Sequence, residues 1–198
     1  MPPETGSRLR RVAVGLALAV VCLAAVIAVV AGGSDDGDDA PPPPNYEEAF
    51  ADAPPELAAL NERANQLIDG GAEAFENQLE DLRGYPVVVN KWASWCGPCR
   101  AEFPYFQQAA AEHGTRVAFL GVDGMDSEDA ARTFLEEYPV PYPSFSDPDE
   151  EIIEDVLDAT VGYPSTVFFD AAGEPTYTRI GPYESAADLE ADINNYAR

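Results

Sequence analysis

Two cysteines three residues apart, Cys96 and Cys99, stand where a β-branched run gives way to a helical one, and that junction limits the folds the chain can adopt. Val87-Val88-Val89, within residues 86–92, reads as a short strand buried on both faces, and residues 98 to about 113 read as a helix. A C-x-x-C at a helix start sets its first sulfur beside unpaired backbone N–H groups and the positive end of the helix dipole. Both stabilise a thiolate and lower its pKa. Gly97 is expected to let the chain turn tightly, and Pro98 to support the first turn without wasting a donor. Cys96 is then the exposed attacking sulfur and Cys99, one turn in, the buried resolving one. A zinc knuckle is the competing use, but zinc takes four ligands, and outside the apolar N-terminal run only His113 and scattered acids remain to supply the others. A static bridge is the other; closing so short a loop, it would constrain the unfolded chain little.

On either side of this junction, helical and strand patterns alternate. Leu57, Leu60, Ala64, Leu67 and Ile68 fall near one helical face over residues 56–68, before Gly70-Gly71. A second helix is expected over 72–82, with Phe75, Leu79 and Leu82 on its stripe. Further strands are expected over 116–122, 165–170 and 176–180, and helices over 127–138 (capped by Ser127), 149–157 and 186–196. Pro139, Pro141 and Pro143 impose an extended crossing between two of these helices. Parallel βαβ units followed by a hairpin and a terminal helix predict an α/β mixed sheet with helices on both faces.

The N-terminal fifth reads differently. Residues 12–31 carry no charge and are long enough, as a helix, to cross a bilayer. Arg8, Arg10 and Arg11 precede this span and Asp35, Asp36, Asp38 and Asp39 follow it, so residues 1–11 are expected in the cytoplasm and the rest outside. A cleaved signal peptide ending at Val29-Val30-Ala31 is the alternative, although its apolar core is normally only ~7–15 residues. The third cysteine, Cys22, lies mid-span as an ordinary apolar residue. Residues 32–54, rich in aspartate and proline, are expected to form a disordered tether, leaving 55–198 as the folded domain.

Charge narrows the partners. The chain has 36 acidic and 11 basic residues and a net charge of -25. Residues 45–198 hold 31 of the acids and 8 of the bases, a net of -23, so the acidity belongs to the domain. Such a surface repels phosphate backbones and excludes a nucleic-acid binder or a polybasic membrane-surface module. Only one of the eleven basic residues is a lysine, which composition does not explain.

The stretch from Val87 through Trp92-Ala93-Ser94-Trp95-Cys96-Gly97-Pro98-Cys99-Arg100-Ala101-Glu102-Phe103-Pro104 resembles the active-site segment of thioredoxin-like proteins, specifically the membrane-anchored TlpA/ResA-type thiol-disulfide oxidoreductases. The match continues at Gly162-Tyr163-Pro164-Ser165-Thr166-Val167-Phe168-Phe169-Asp170. The resemblance covers roughly residues 72–198 and implies a thioredoxin-like fold with Cys96 as nucleophile, Cys99 as resolving thiol and Pro164 as a cis-proline against the pair. It also implies that Trp95, Gly97, Pro98, Tyr163 and Pro164 form the substrate-contacting surface. Asn90 stands where cytoplasmic thioredoxins have a buried acid, and Glu102 matches an acid that this family places after the motif. Glu102 is therefore expected to take the proton of Cys99. Two departures stand out: the family's N-terminal hairpin is replaced by predicted helices over 55–82, and Tyr163 is bulky for its position.

What the resemblance implies functionally is a monomeric, membrane-tethered enzyme on the outer side, with no cofactor beyond the Cys96–Cys99 pair. Its substrates would be extracytoplasmic proteins carrying disulfides, apocytochrome c among them, and a membrane thiol-electron carrier would resupply electrons. A disulfide-introducing oxidant and a redox-inert peptide-binding module remain as alternatives.

Overall fold

The computed structural model describes residues 44–198. The predicted anchor at 12–31, the stretch 1–11, Cys22 and the first part of the tether lie outside the described residues. Among the described residues no helix is long and apolar enough to cross a membrane.

Six strands form one mixed sheet. In chain order the elements are α1 (Tyr46–Ala49), α2 (Pro55–Glu62), β1 (Leu67–Ile68), α3 (Gly71–Asp81), β2 (Val87–Trp92), α4 (Gly97–His113), β3 (Ala118–Gly124), α5 (Glu128–Glu137), β4 (Ser144–Asp147), α6 (Glu151–Asp155), β5 (Ser165–Phe169), β6 (Pro175–Ile180) and α7 (Ala186–Tyr196). The strand order is β1-β4-β3-β2-β5-β6, with β1, β4, β3 and β2 parallel and β5 and β6 antiparallel to their neighbours. Every residue of β2 and β3 is buried at the centre of the sheet, the polar Asn90, Lys91 and Asp123 among them.

Alternation along β2 sends its side chains to two cores. Val88 and Trp92 face α4, α5 and α7, where Phe103, Phe106, Phe134, Leu189 and Ile193 pack. Val87 and Val89 face α2, α3 and α6, where Leu57, Leu60, Phe75, Ile152 and Ile153 pack. Helices therefore cover both faces, in agreement with the α/β layering expected from the sequence.

Three local expectations need correction. The helix predicted over 56–68 ends at Glu62, because Asn65 turns the chain at φ 61° and clasps a distant segment. Its backbone N–H donates to Tyr142 O, its Nδ2 donates to Leu135 O, and its Oδ1 accepts from Val140 N. Leu67 and Ile68 then join the sheet beside Ser144 and Phe145. The extended crossing after Pro143 becomes strand β4, which sits between β1 and β3 although Ser-Phe-Ser-Asp carries no strand signal of its own. Lastly, the tether expected to run to residue 54 gives way to α1, capped by Asn45, with Phe50 against Gly114 and Ala53 against the second core. Tyr46, Phe50 and Ala53 supply the packing that the aspartate- and proline-rich part lacks.

Candidate active site

Parallel pairing of β2 with β3 and antiparallel pairing with β5 deliver the site's parts to one end of the sheet. Lys91 pairs with Ser165, so the Tyr163–Pro164 corner preceding β5 comes level with the loop that leaves β2 at Trp92. The Tyr163–Pro164 peptide bond is cis, as the resemblance implied. Pro164 has no amide proton and its carbonyl already accepts from Gly181 N at 2.9 Å.

Cys96 and Cys99 are joined as a disulfide, with Cα atoms 5.3 Å apart. Cys96 is the N-cap of α4, and its sulfur accepts from Cys99 N at 3.1 Å. The expected exposure of Cys96 is corrected: it is only 3% exposed, because in the oxidised pair its sulfur is turned back onto Cys99 and the helix amide. Gly97 is corrected as well. Its φ is not positive, and a Cβ built there would meet nothing within 4 Å, so no tight turn requires glycine. Gly97 and Pro98 are exposed in the first turn of α4, beside the buried sulfurs.

Glu102 lies three residues beyond Cys99 on the same side of α4, one turn deeper. It is fully buried; Oε1 accepts from Asn90 Nδ2 at 3.2 Å and Oε2 from Tyr183 N at 3.0 Å. Burial pushes its carboxyl up to about 7, and those two hydrogen bonds hold it from rising further. A carboxyl that titrates near neutrality below a buried thiol can accept and return a proton.

The aromatic pair divides. Trp92 is fully buried, stacked on Phe134 at 4.8 Å, with Nε1 donating to Ser144 Oγ at 3.2 Å. Trp95 is 57% exposed, donates from Nε1 to Met125 O at 3.0 Å and packs edge-on against Tyr163 at 4.9 Å. Met125, Val161 and Ile180 are the other large apolar side chains exposed among the described residues. Val161 lies two residues before Tyr163, and a Cβ built at Gly162 would stand 3.7 Å from Ile180 Cγ2.

Sequence reasoning missed a polar cluster on the other side of Tyr163. Lys91 is buried with Nζ 2.8 Å from Ala159 O, 3.5 Å from Glu150 Oε1 and 4.0 Å from the Tyr163 ring centroid. Tyr163 Oη donates to Glu150 at 2.8 Å. Nearby, Asp123 is buried with Oδ1 unpartnered; burial first, then the charge of the neighbouring Asp126, push its carboxyl up to about 8. Asp126 holds the loop before Cys96 by accepting from Ser94 N at 2.6 Å. The signal available in the sequence was a lone lysine inside an apolar strand.

Among the described residues, Glu112, His113 and Glu190 are close enough to share a metal ion. His113 instead clasps α4 to α7, with Nε2 bonded to Glu190 and Nδ1 facing Arg116. A guanidinium only donates, so Nδ1 accepts, the ring proton sits on Nε2, and the nitrogen facing the acids is not free to ligate.

A family model described as the AhpC/TSA family matches residues 64–177. The thiol-disulfide oxidoreductase ResA of Oceanobacillus iheyensis is 36% identical over 100 residues, which are 49% of this chain and 50% of that protein. The thiol:disulfide interchange protein DsbE of Allochromatium vinosum is 37% identical over 119 residues, 58% of this chain and 64% of that one. The chain thus spans half to just under two thirds of these relatives. Among solved structures, MTB dsbF in mixed oxidised and reduced forms aligns with a TM-score of 0.54 and 31% identity, over 59% of this chain and 84% of that chain.

Proposed function

The chain belongs to the AhpC/TSA family, and from that premise we propose that it is an extracytoplasmic thiol-disulfide oxidoreductase that reduces disulfides in other proteins. The observation that carries this reading is the Cys96 sulfur seated as N-cap of α4, where the Cys99 amide donates to it. The same donor stabilises the Cys96 thiolate once the bond is reduced.

The cycle runs through the pair. Reduced Cys96 attacks one sulfur of a substrate disulfide; a Cys96–substrate bond forms, the substrate bond breaks, and one substrate thiolate leaves. Cys99 then yields its proton to Glu102 and attacks Cys96 Sγ, releasing the second thiolate. Two electrons pass to the substrate, and the Cys96–Cys99 disulfide seen here is the product state. Glu102 returns its proton to the released thiolate. Trp95, Gly97, Pro98, Tyr163 and Pro164 form the surface on which the substrate segment lies.

The uncharged run at 12–31 supports a single-pass anchor with the catalytic domain on the outer side. Because that compartment is oxidising, the pair needs electrons from an integral membrane thiol carrier. Cysteine pairs of apocytochrome c are one substrate class, supported by the likeness to the TlpA/ResA type. The Gly-Pro between the cysteines supports a reductant over an oxidant.

Two measurements test this. The domain's reduction potential is expected near the about -270 mV of thioredoxins, and a value near the about -120 mV of strong oxidants would reverse the direction of flow. Cys99→Ser is expected to accumulate mixed disulfides through Cys96 that Cys96→Ser does not form. Finding none would favour a binding module.

A further inference from the structure

The only lysine of the chain is sealed under the active-site rim. Its strand position points to the same core as Val87 and Val89, where an aliphatic side chain would pack without the cost of burying a charge. All three ammonium protons have somewhere to go: the Ala159 carbonyl, Glu150 Oε1 and the face of Tyr163. These acceptors belong to the segment that leads into the cis-proline corner. Ala159 lies four residues before Tyr163, and Glu150, held at φ 59°, also accepts from Tyr163 Oη. Tyr163 in turn packs edge-on against Trp95, which immediately precedes Cys96. Burial lowers the ammonium pKa, and the facing carboxylates, Glu150 and then Asp147, raise it back in part.

We propose that Lys91 is a positioning residue for the substrate-facing rim, fixing Tyr163 and, through it, Trp95 where a disulfide-bearing polypeptide docks. The assignment rests on the oxidoreductase reading of the site. Lys91 makes no contact with the sulfurs in this arrangement. Its contribution is to the binding of large substrates and not to sulfur chemistry, so small disulfides that need no rim are exchanged without it.

Lys91→Met keeps the stem and removes the charge. The protein has two tryptophans, so two indole N–H signals report on the full chain: Trp95, bonded to Met125 O, and Trp92, bonded to Ser144 Oγ. In the variant the Trp95 signal is expected to shift while Trp92 stays in place. For a disulfide-bonded peptide, KM is expected to rise about thirtyfold, the size of one desolvated cation–π contact, with kcat and exchange with hydroxyethyl disulfide within about twofold. An unmoved Trp95 signal, equal movement of both indoles, or a parallel loss with peptide and small disulfide would overturn the proposal. If Glu150 left alone prevents folding, the double variant Lys91→Met/Glu150→Gln removes both charges and carries the same readings. Failure of the oxidoreductase reading looks different: wild-type protein exchanges neither disulfide, which removes the docking role, while the indole shift still decides whether Lys91 holds the rim.

Discussion

Asn90 Nδ2 donates to Glu102 Oε1 at 3.2 Å, and the amide's other end, Asn90 Oδ1, is buried without a partner. The pairing suits a carboxyl that changes protonation state. Toward the carboxylate the amide presents its N–H; after rotation about its terminal bond it presents Oδ1, which accepts from the protonated acid. An aspartate at position 90 would instead set a second negative charge beside Glu102. The amide at position 90 thus places no second carboxylate beside Glu102.

Glu102 has its folded pKa near 7, above the ordinary 4.5. The stabilising extra proton is therefore fully bound below about 4.5 and is lost as pH rises through about 7, a swing of ~3 kcal/mol. Glu102→Gln is expected to be more stable than wild type at pH 8 and to differ little at pH 4.5. Its thiol-disulfide exchange should be slower and lose the inflection near pH 7. Denaturant titrations at both pH values and a pH–rate profile check this; an unchanged profile would remove Glu102 from the proton path.

Asp123 repeats the sign. With its carboxyl raised from 3.8 to about 8, its contribution is present at low pH and lost as pH rises through about 8. Asp123→Asn keeps the shape and removes the charge, so a gain of at least ~1 kcal/mol is expected above pH 8, with little change near pH 4. Melting curves from pH 4 to 9 measure it, and parallel wild-type and variant curves across that range would contradict the burial argument.

Gly97 faces open space at a helical φ. Gly97→Ala should raise stability by roughly 0.5–1 kcal/mol, since alanine loses less backbone freedom on folding. Exchange with a peptide disulfide should slow more than exchange with a small one, because the new methyl stands on the approach to the sulfurs. A drop in melting temperature would mean that glycine is needed for the turn after all.

Gly124 ends β3 under the Tyr163 ring. A Cβ there would sit 2.5 Å from Ile153 Cδ1 and collide with the Tyr163 hydroxyl, which would have to leave Glu150. Gly124→Ala is expected to cost about 1–3 kcal/mol. It should also shift the Trp95 indole signal while leaving that of Trp92. Wild-type stability with an unmoved Trp95 would show that the ring accommodates the methyl.

Local pattern alone carried the central strand, the redox pair at a helix start, Ser127 as a cap and the terminal helix at 186–196, because each depends on neighbours within a few residues. Periodicity could not show that Leu67 and Ile68 leave the helical face to pair with Ser144 and Phe145, nor that Ser-Phe-Ser-Asp becomes an inner strand. Those outcomes follow from Asn65 bonding to residues 70 or more positions away. The site divides the same way. Cys96, Cys99, Trp95 and Pro164 are legible as a motif, whereas the burial that brings Glu102 near neutrality comes with Tyr183, 81 residues on, and the anchoring of Lys91 with Ala159, 68 residues on. The sequence by itself determined which atoms exchange electrons. Only the tertiary structure decided which buried charges surround them, because desolvation and hydrogen bonding are properties of what packs against a group and not of its place in the chain.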